Sequence, residues 1–561
     1  MGKFLYSLKS NFTMAKFIKH LLLAGTAAIA ISACNQTSKP DENDGLATFN
    51  KDSLAKHIIT LGSDEYKGRR PFTDGEVKTI DYLQKTYKGL GLEPGNGSSY
   101  LQDVPMVEIS PKAVTSLKVQ GPKGSFELKN IEDYVVFTKR TDTVQTLAND
   151  ELVFAGFGVV APEYAWNDYA GLDVKGKVVM VMVNDPGFET GDTTMFKGKT
   201  MTYYGRWTYK YEEAARQGAK ACLIVHSTAA ASYPFQVVQT SNGGVKLHLD
   251  KSASHDYQLA MQGWVTHPSA VKLLQAAGKD TSVLHTANTK GFKGFDMGLK
   301  VSATMNTKVV FNKSHNVIAK ITGTKRPDEY IIFTAHWDHL GVGAPDKKGD
   351  TIYNGALDNA SGTAALLEIA KAFKSMKTPP ERTVVFLSVT AEEQGLLGSE
   401  YYGENPVYPL DKTVANINID GITAFGKTKD VAISGEGQSD LEDYLKAELK
   451  KTGRYLAPEA HPEAGLYFRS DHFSFAKVGV PSITVDGGMD DAVKGKEYGK
   501  KLQDEYTAQH YHQPSDEYDK SWTLEGGLED VKLIFQIGKR LAFESTFPQW
   551  KDGSEFKKLR K

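Results

Sequence analysis

Three short apolar runs in the second half of the chain each stop at a residue that can bind a metal or move a proton. Residues 330–335 end at His336, residues 383–389 run into Glu392 and Glu393, and residues 414–419 end at Asp420. Runs of this length bounded by polar residues are expected to be buried strands. Between the first two, residues 363–374 carry helical spacing, which leaves Asp358 at a loop-to-helix junction. Strands alternating with helices point to an α/β fold, and open α/β sheets gather their chemistry at the carboxyl ends of their strands. Upstream, residues 151–160, 178–183 and 221–225 read as strands. Residues 211–217 read as a helix just before the last of these, and residues 76–90 as an earlier helix.

The polar residues at those run ends change the picture from fold to chemistry. His336, Asp358, Glu393 and Asp420 would converge on one edge, and His512, in a loop-like stretch ending in Pro514, could cross the same edge. Mixed imidazole and carboxylate ligands suit zinc, with cobalt or manganese as substitutes, whereas a structural zinc more often takes cysteine, of which this chain has two. Adjacent Glu392 and Glu393 can divide the labour, one moving protons and one binding metal. No Gly-x-Ser-x-Gly elbow, Walker loop or Cys-His pair suited to nucleophilic catalysis competes with this reading.

In this order and context the five residues resemble the di-zinc aminopeptidase family that includes vacuolar aminopeptidase Y and secreted bacterial leucine aminopeptidases, with glutamate carboxypeptidase and the transferrin receptor as larger relatives. The resemblance implies a mixed, mostly parallel sheet flanked by helices. It implies two zinc ions, one on His336, Asp358 and Asp420 and the other on Asp358, Glu393 and His512, with Asp358 bridging. Glu392 would be the general base, Asp338 would orient His336 through its second ring nitrogen, and Tyr511 would hydrogen-bond the developing oxyanion. Gln513, where threonine is frequent, and Leu357, where many relatives carry a second acid, depart from the pattern without removing a ligand. With the ligand set full, His339, Asp346, Asp350 and Asp516 are expected beside the ligands or in solvent.

The ligand motifs begin only after residue 310, and the long block before them resembles an inserted, mainly-β protease-associated domain, through residues 156–162 and 169–179. The expected organisation is a peptidase domain in two parts, residues 46–110 and 306–550, around an insert at residues 111–305, with a basic tail at residues 551–561. In the insert, Arg206 stands in an aromatic stretch that could project toward substrate. Arg469 and Asp471 lie in a segment resembling one that lines the family's substrate cleft.

At the amino terminus, Lys16, Lys19 and His20 precede an apolar stretch at residues 21–31, and Ile31, Ser32, Ala33 and Cys34 resemble a bacterial lipobox. The stretch is shorter than the roughly 20 residues of a membrane span and fits a cleaved signal. Residues 1–33 would then be a lipoprotein signal starting at Met1 or Met14, Cys34 the lipidated residue, and residues 34–45 a flexible tether to the bacterial cell envelope, at the outer membrane or periplasmic side. With 67 basic and 68 acidic residues, no global field favours nucleic acid.

The expected activity is therefore that of a membrane-anchored aminopeptidase acting on peptides. The compact segment after His512 leaves no room for the helical dimerisation domain of the carboxypeptidase relatives, which would also need arginines to hold an α-carboxylate. A carboxypeptidase of that type is the alternative, followed by a single-zinc glutaminyl cyclase and an inactive receptor-like protein.

Overall fold

The computed structural model describes residues 40–254 and 256–560; the expected signal peptide, Cys34 and most of the tether lie outside the described residues. Pro40 to Asp44 form a short turn-containing segment in which the Asp44 amide donates to the Asp41 carbonyl (2.9 Å). Gly45–Lys561 make up a separate compact unit.

That unit opens with two helices, α1 (Lys51–Leu61) and α2 (Asp74–Gly89). Asn50 caps α1 by accepting from the amides of Asp52 and Ser53, and Thr73 caps α2 through Gly75. The strands then follow as β1 (Leu101–Val114), β2 (Tyr134–Phe137), β3 (Val144–Phe154), β4 (Val178–Met182), β5 (Ala221–Val225) and β6 (Met261–Val265). Helix α3 (Trp207–Arg216) precedes β5. Strands β3, β4, β5 and β6 are parallel in that order, and β2 closes the far side antiparallel to β6. The expected strand at residues 151–160 stops at Phe154 because Gly156 and Gly158, both at positive φ, turn the chain.

A 27-residue strand, β7 (Phe295–Ile321), joins the two halves. It pairs antiparallel with β3 near its start, with β1 along its middle, and with Arg382–Val389 of the catalytic sheet at its end. The limits expected at residues 111 and 305 therefore fall inside β1 and β7, which run through from one part to the other.

The catalytic sheet contains β8 (Arg326–His336), β9 (Arg382–Val389), β10 (Thr413–Asn418), β11 (Asp430–Ile433) and β12 (Ser482–Gly487). Its order is β7-β9-β8-β10-β12-β11, with β9, β8, β10 and β12 parallel and the outer strands antiparallel. This is the mixed, mostly parallel sheet expected. Its helices include α4 (Gly362–Ser375), α5 (Leu397–Glu404), α6 (His472–Lys477), α7 (Lys496–Gln509) and α8 (Glu525–Phe543), with Leu441–Thr452 a further one. The core between sheet and helices is aromatic: Phe333 stacks on Phe386 at 5.9 Å, and Phe373 meets Phe535 edge-on at 4.8 Å. Gly538 lets α8 come this close, since a Cβ there would stand 2.1 Å from the Phe333 ring. No described helix is long and apolar enough to cross a membrane.

Candidate metal centre and catalytic cleft

Three parallel strands end side by side and each hands over an acid or an imidazole. His336 is the last residue of β8, and the Thr363 hydroxyl of α4 donates to its carbonyl (2.8 Å). Past β9, Ala391 takes a left-handed backbone (φ 53°) that turns the chain, so Glu392 and Glu393 follow on a short helical turn. Past β10, Ile419 donates back to the Thr334 carbonyl and Asp420 follows. Asn359 ties two of these loops together. Its amide donates to the Ile419 carbonyl (2.9 Å), and its oxygen accepts from the Gly362 and Gly421 amides (2.9 and 2.8 Å).

The five side chains singled out as ligands lie together in two groups. His336 Nε2 is 3.3 Å from Asp358 Oδ1 and 3.2 Å from Asp420 Oδ1. His512 Nε2 is 3.2 Å from Asp358 Oδ2 and 3.1 Å from Glu393 Oε2. Ligands about 2.0–2.2 Å from one tetrahedral zinc stand roughly 3.3–3.6 Å apart, so these spacings approach those between ligands of a zinc ion.

Charge fits the same purpose. Asp358, Glu393, Asp420 and Glu392 crowd one site whose nearest positive groups are imidazoles and the buried Arg69. Burial would depress the His336 imidazole, but Glu392, Asp358 and Asp420 hold it well above its ordinary value. His512 is likewise held up to about 10 against burial, by Glu393 and Asp358. Burial pushes the Glu392 carboxyl well up, and neighbouring Asp420 and Glu393 push it further. A divalent cation is the natural balance for such a cluster, and the donor set fits zinc.

The structure adds a residue the sequence reading left aside. His339 is 1% exposed, its Nδ1 lies 2.5 Å from Glu393 Oε1, and it forms a ligand-sized group with Asp358 and Glu393. Neither atom of that close pair has the alignment of a hydrogen bond. His339 therefore stands beside His512, ring centroids 5.7 Å apart, as a second imidazole on the same carboxylates. Asp516 is also drawn in. It accepts from the amides of Leu357 and Asp358 (3.0 and 3.1 Å) and so fixes the backbone of the bridging position. Asp346 only closes a local turn, accepting from the Lys348 and Asp350 amides.

Two expected roles change. Asp338 does not hold His336 through its carboxylate: Nδ1 is 3.1 Å from the Asp338 backbone carbonyl and 3.8 Å from the carboxylate. The carboxylate instead accepts the Glu392 amide (3.0 Å), which turns it away from the His336 ring. Asp338 thus positions the Glu392 backbone, and burial lifts its carboxyl to about 7. Asp471, expected at the substrate, is fully buried and accepts from the Ser399 hydroxyl (2.6 Å).

Tyr511 stacks on His512 with ring centroids 3.9 Å apart and is 46% exposed as a residue, while its phenol feels burial and the carboxylates of the site. Arg206 lies over Trp207 (5.1 Å), and Arg469 donates to the Ala464 carbonyl (2.8 Å). The framework behind the site is held by Arg69, which sequence reasoning missed. Its guanidinium donates to the carbonyls of Trp337, Leu61, Asn354 and Gly355 at 2.6–2.8 Å. Cys222 is buried and its thiol is pushed up by burial, as expected of an inert core cysteine.

Comparison with known proteins meets this geometry at one place. Residues 316–533 match the model for Peptidase family M28, and that segment carries every clustered side chain from His336 to His512. The resemblance read from the motifs is thus the one found. Aminopeptidase YwaD of Bacillus subtilis is 28% identical over 271 residues, 43% of this chain and 56% of that protein. Aminopeptidase NAALADL1 of Mus musculus is 34% identical over 131 residues, 22% of this chain and 16% of that protein. The alignment with the mouse protein thus spans under a fifth of that relative. Among solved structures, the aminopeptidase from Aneurinibacillus sp. strain AM-1 superposes with a TM-score of 0.48 at 20% identity, covering 92% of this chain and 97% of that one.

Proposed function

We propose that the chain is a two-zinc exopeptidase that removes N-terminal residues from peptides. One observation carries the reading: Asp358 offers its two oxygens to two separate groups, His336 with Asp420 and His512 with Glu393. In a site of this kind two bound zinc ions would polarise the attacking water and the scissile carbonyl. Glu392 takes the proton from the attacking water and returns it to the departing amine, a role suited to a carboxyl that burial keeps ready to hold a proton. Asp338 fixes Glu392 through its amide. Tyr511, whose phenol is pushed up by burial and the nearby carboxylates, stays protonated and donates to the oxyanion.

Carboxypeptidase action of the glutamate carboxypeptidase type is the second reading, and it would call on Arg206 and Arg469 to hold an α-carboxylate. The insert carrying Arg206 is read as a wall of the cleft of the protease-associated type. Through Cys34 the enzyme would be held at the bacterial envelope by lipid, a reading that rests on the lipobox-like residues alone.

Metal content of the purified protein, with hydrolysis of aminoacyl-anilides before and after chelation, tests the reading. About two zinc ions per chain with chelator-sensitive release of the N-terminal residue is expected. Two ions without release would transfer the assignment to carboxypeptidase substrates, and one ion to cyclisation of N-terminal glutamine. Loss of membrane fractionation in Cys34→Ser tests the anchor.

A further inference from the structure

Glu392 and Glu393 ride on a turn whose own backbone bonds do not fix its place. Both ends of the turn carry a non-glycine residue in the left-handed region, Ala391 at φ 53° and Leu396 at φ 64°. Such residues persist only where the surroundings impose them. Within the turn, the Leu396 amide donates to the Glu392 carbonyl (2.9 Å) and the Leu397 amide to the Ala391 carbonyl (3.1 Å). These bonds close the turn on itself and leave open where it stands over the sheet.

Asn316, on β7, settles that. Its side chain is fully buried, its Oδ1 accepts from the Thr390 amide (3.0 Å), and its Nδ2 donates to the Gly398 carbonyl (2.9 Å). Thr390 precedes the turn and Gly398 follows it, so one side-chain amide spans both ends. The pairing needs a donor and an acceptor side by side, which Asn supplies and an apolar residue does not. The approach is close: a Cβ on Gly398 would stand 2.5 Å from Asn316 Oδ1. The Asn316 Nδ2 also donates to Oε1 of Gln102 (3.0 Å), its cross-strand partner on β1. Gln102 in turn donates to the Asn405 carbonyl (2.8 Å), just past the end of α5. Two residues back along β7, the Ser314 hydroxyl meets the Thr390 hydroxyl (2.7 Å) and donates to Glu76 (2.6 Å). Asp338 holds the Glu392 amide independently.

We propose that Asn316 is a positioning residue for Glu392. By holding Thr390 and Gly398 together against β7, it sets the place of the turn and with it the reach of the Glu392 carboxylate to the attacking water. Because β1 and β7 run on into the insert, the turn is tied to the strand pair that carries the insert. This deepens the peptidase reading above and rests on it.

The test compares zinc-loaded wild type, Asn316→Ala and Asn316→Asp in aminoacyl-anilide hydrolysis, together with hydrogen exchange of residues 390–398. A misplacement of about 1 Å costs on the order of 10²-fold in rate, so kcat should fall by about that factor in Asn316→Ala while KM holds. Exchange should rise in residues 390–398 while the strands of the catalytic sheet keep their protection. Asn316→Asp keeps the shape and the acceptor, and as a buried acid keeps one donor, so it should lose less. If Asn316→Ala does not fold, Asn316→Asp carries the same comparison. An unchanged kcat, a rise in KM alone, or exchange rising evenly over the whole sheet would overturn the proposal. Failure of both variants to fold would do the same, by assigning Asn316 to the fold alone. If the wild type cleaves no peptide, the peptidase reading fails separately and exchange decides the clamp: selective opening of residues 390–398 supports it, and unchanged exchange sinks it.

Discussion

Asp358 faces two imidazoles with its two oxygens, Oδ1 at 3.3 Å from His336 Nε2 and Oδ2 at 3.2 Å from His512 Nε2. Glu393 likewise faces His339 and His512, but Asp358 alone stands between the His336 and His512 groups, so two ions, if held as proposed, would share it. Asp358→Ala is expected to lose both ions, whereas Asp420→Ala should lose mainly the one shared with His336. Mass-spectrometric metal content of the two variants checks this. Equal loss in both would mean that Asp358 does not bridge.

Glu392 touches neither imidazole closely: its Oε2 is 4.0 Å from His336 Nε2, while Glu393 is within 3.1 Å of His512. Neighbouring glutamates of the same turn are thus placed differently, as the proposed mechanism requires. Glu392→Gln should keep its metal and lose about 10²- to 10⁴-fold in kcat, the range that general acid-base catalysis supplies. Retained turnover would remove Glu392 from the mechanism.

The side chains that cluster at the strand ends were legible because each follows an apolar run whose length alone marks a buried strand, and Asp358 because a helix pattern begins just after it. His339 was not legible. It lies three residues past His336 in a stretch without periodicity, and its burial comes from a distant contact: a Cβ on Gly355 would stand 2.4 Å from its ring. Asp338 was assigned to the wrong group because sequence cannot distinguish its carbonyl from its carboxylate as the partner of His336. Asp471 read as cleft-facing because its burial depends on Ser399, far away in the chain. The strand pattern of the insert was readable, but the way β1 and β7 run unbroken between its sheet and the catalytic one was not, since a strand's partners leave no local mark.

Arg69, 1% exposed, joins the end of α1 to the loops carrying Trp337 and Gly355 by hydrogen bonds to four carbonyls. Charge-assisted hydrogen bonds contribute about 1.5–3 kcal/mol each, and the stranded carbonyls would stay buried. Arg69→Met should therefore cost about 3–5 kcal/mol in stability. It should also weaken metal retention, because the loop before Asp358 loses its anchor. Urea unfolding and metal content measured together would expose an unimportant Arg69, as an unchanged midpoint with full metal.

His472 is fully buried, with Nδ1 2.7 Å from the Thr484 hydroxyl, and burial pushes its pKa from 6.5 down to about 3. Below pH 6.5 the unfolded chain takes a proton that the folded state refuses, so stability from this group is full above that pH and drains as pH falls, levelling off only near pH 3. The slope approaches 1.4 kcal/mol per pH unit, about 2 kcal/mol between pH 7 and pH 5. Asp338 and Asp471, raised to about 7 by burial, work in the opposite sense, holding protons in the folded state that the unfolded chain gives up above about pH 4. The net slope of the wild type therefore mixes signs, and the group is isolated by difference. His472→Gln should unfold in urea with a pH dependence smaller by about one proton between pH 6 and pH 4. Identical slopes for variant and wild type would mean that His472 takes up its proton in the folded state as well.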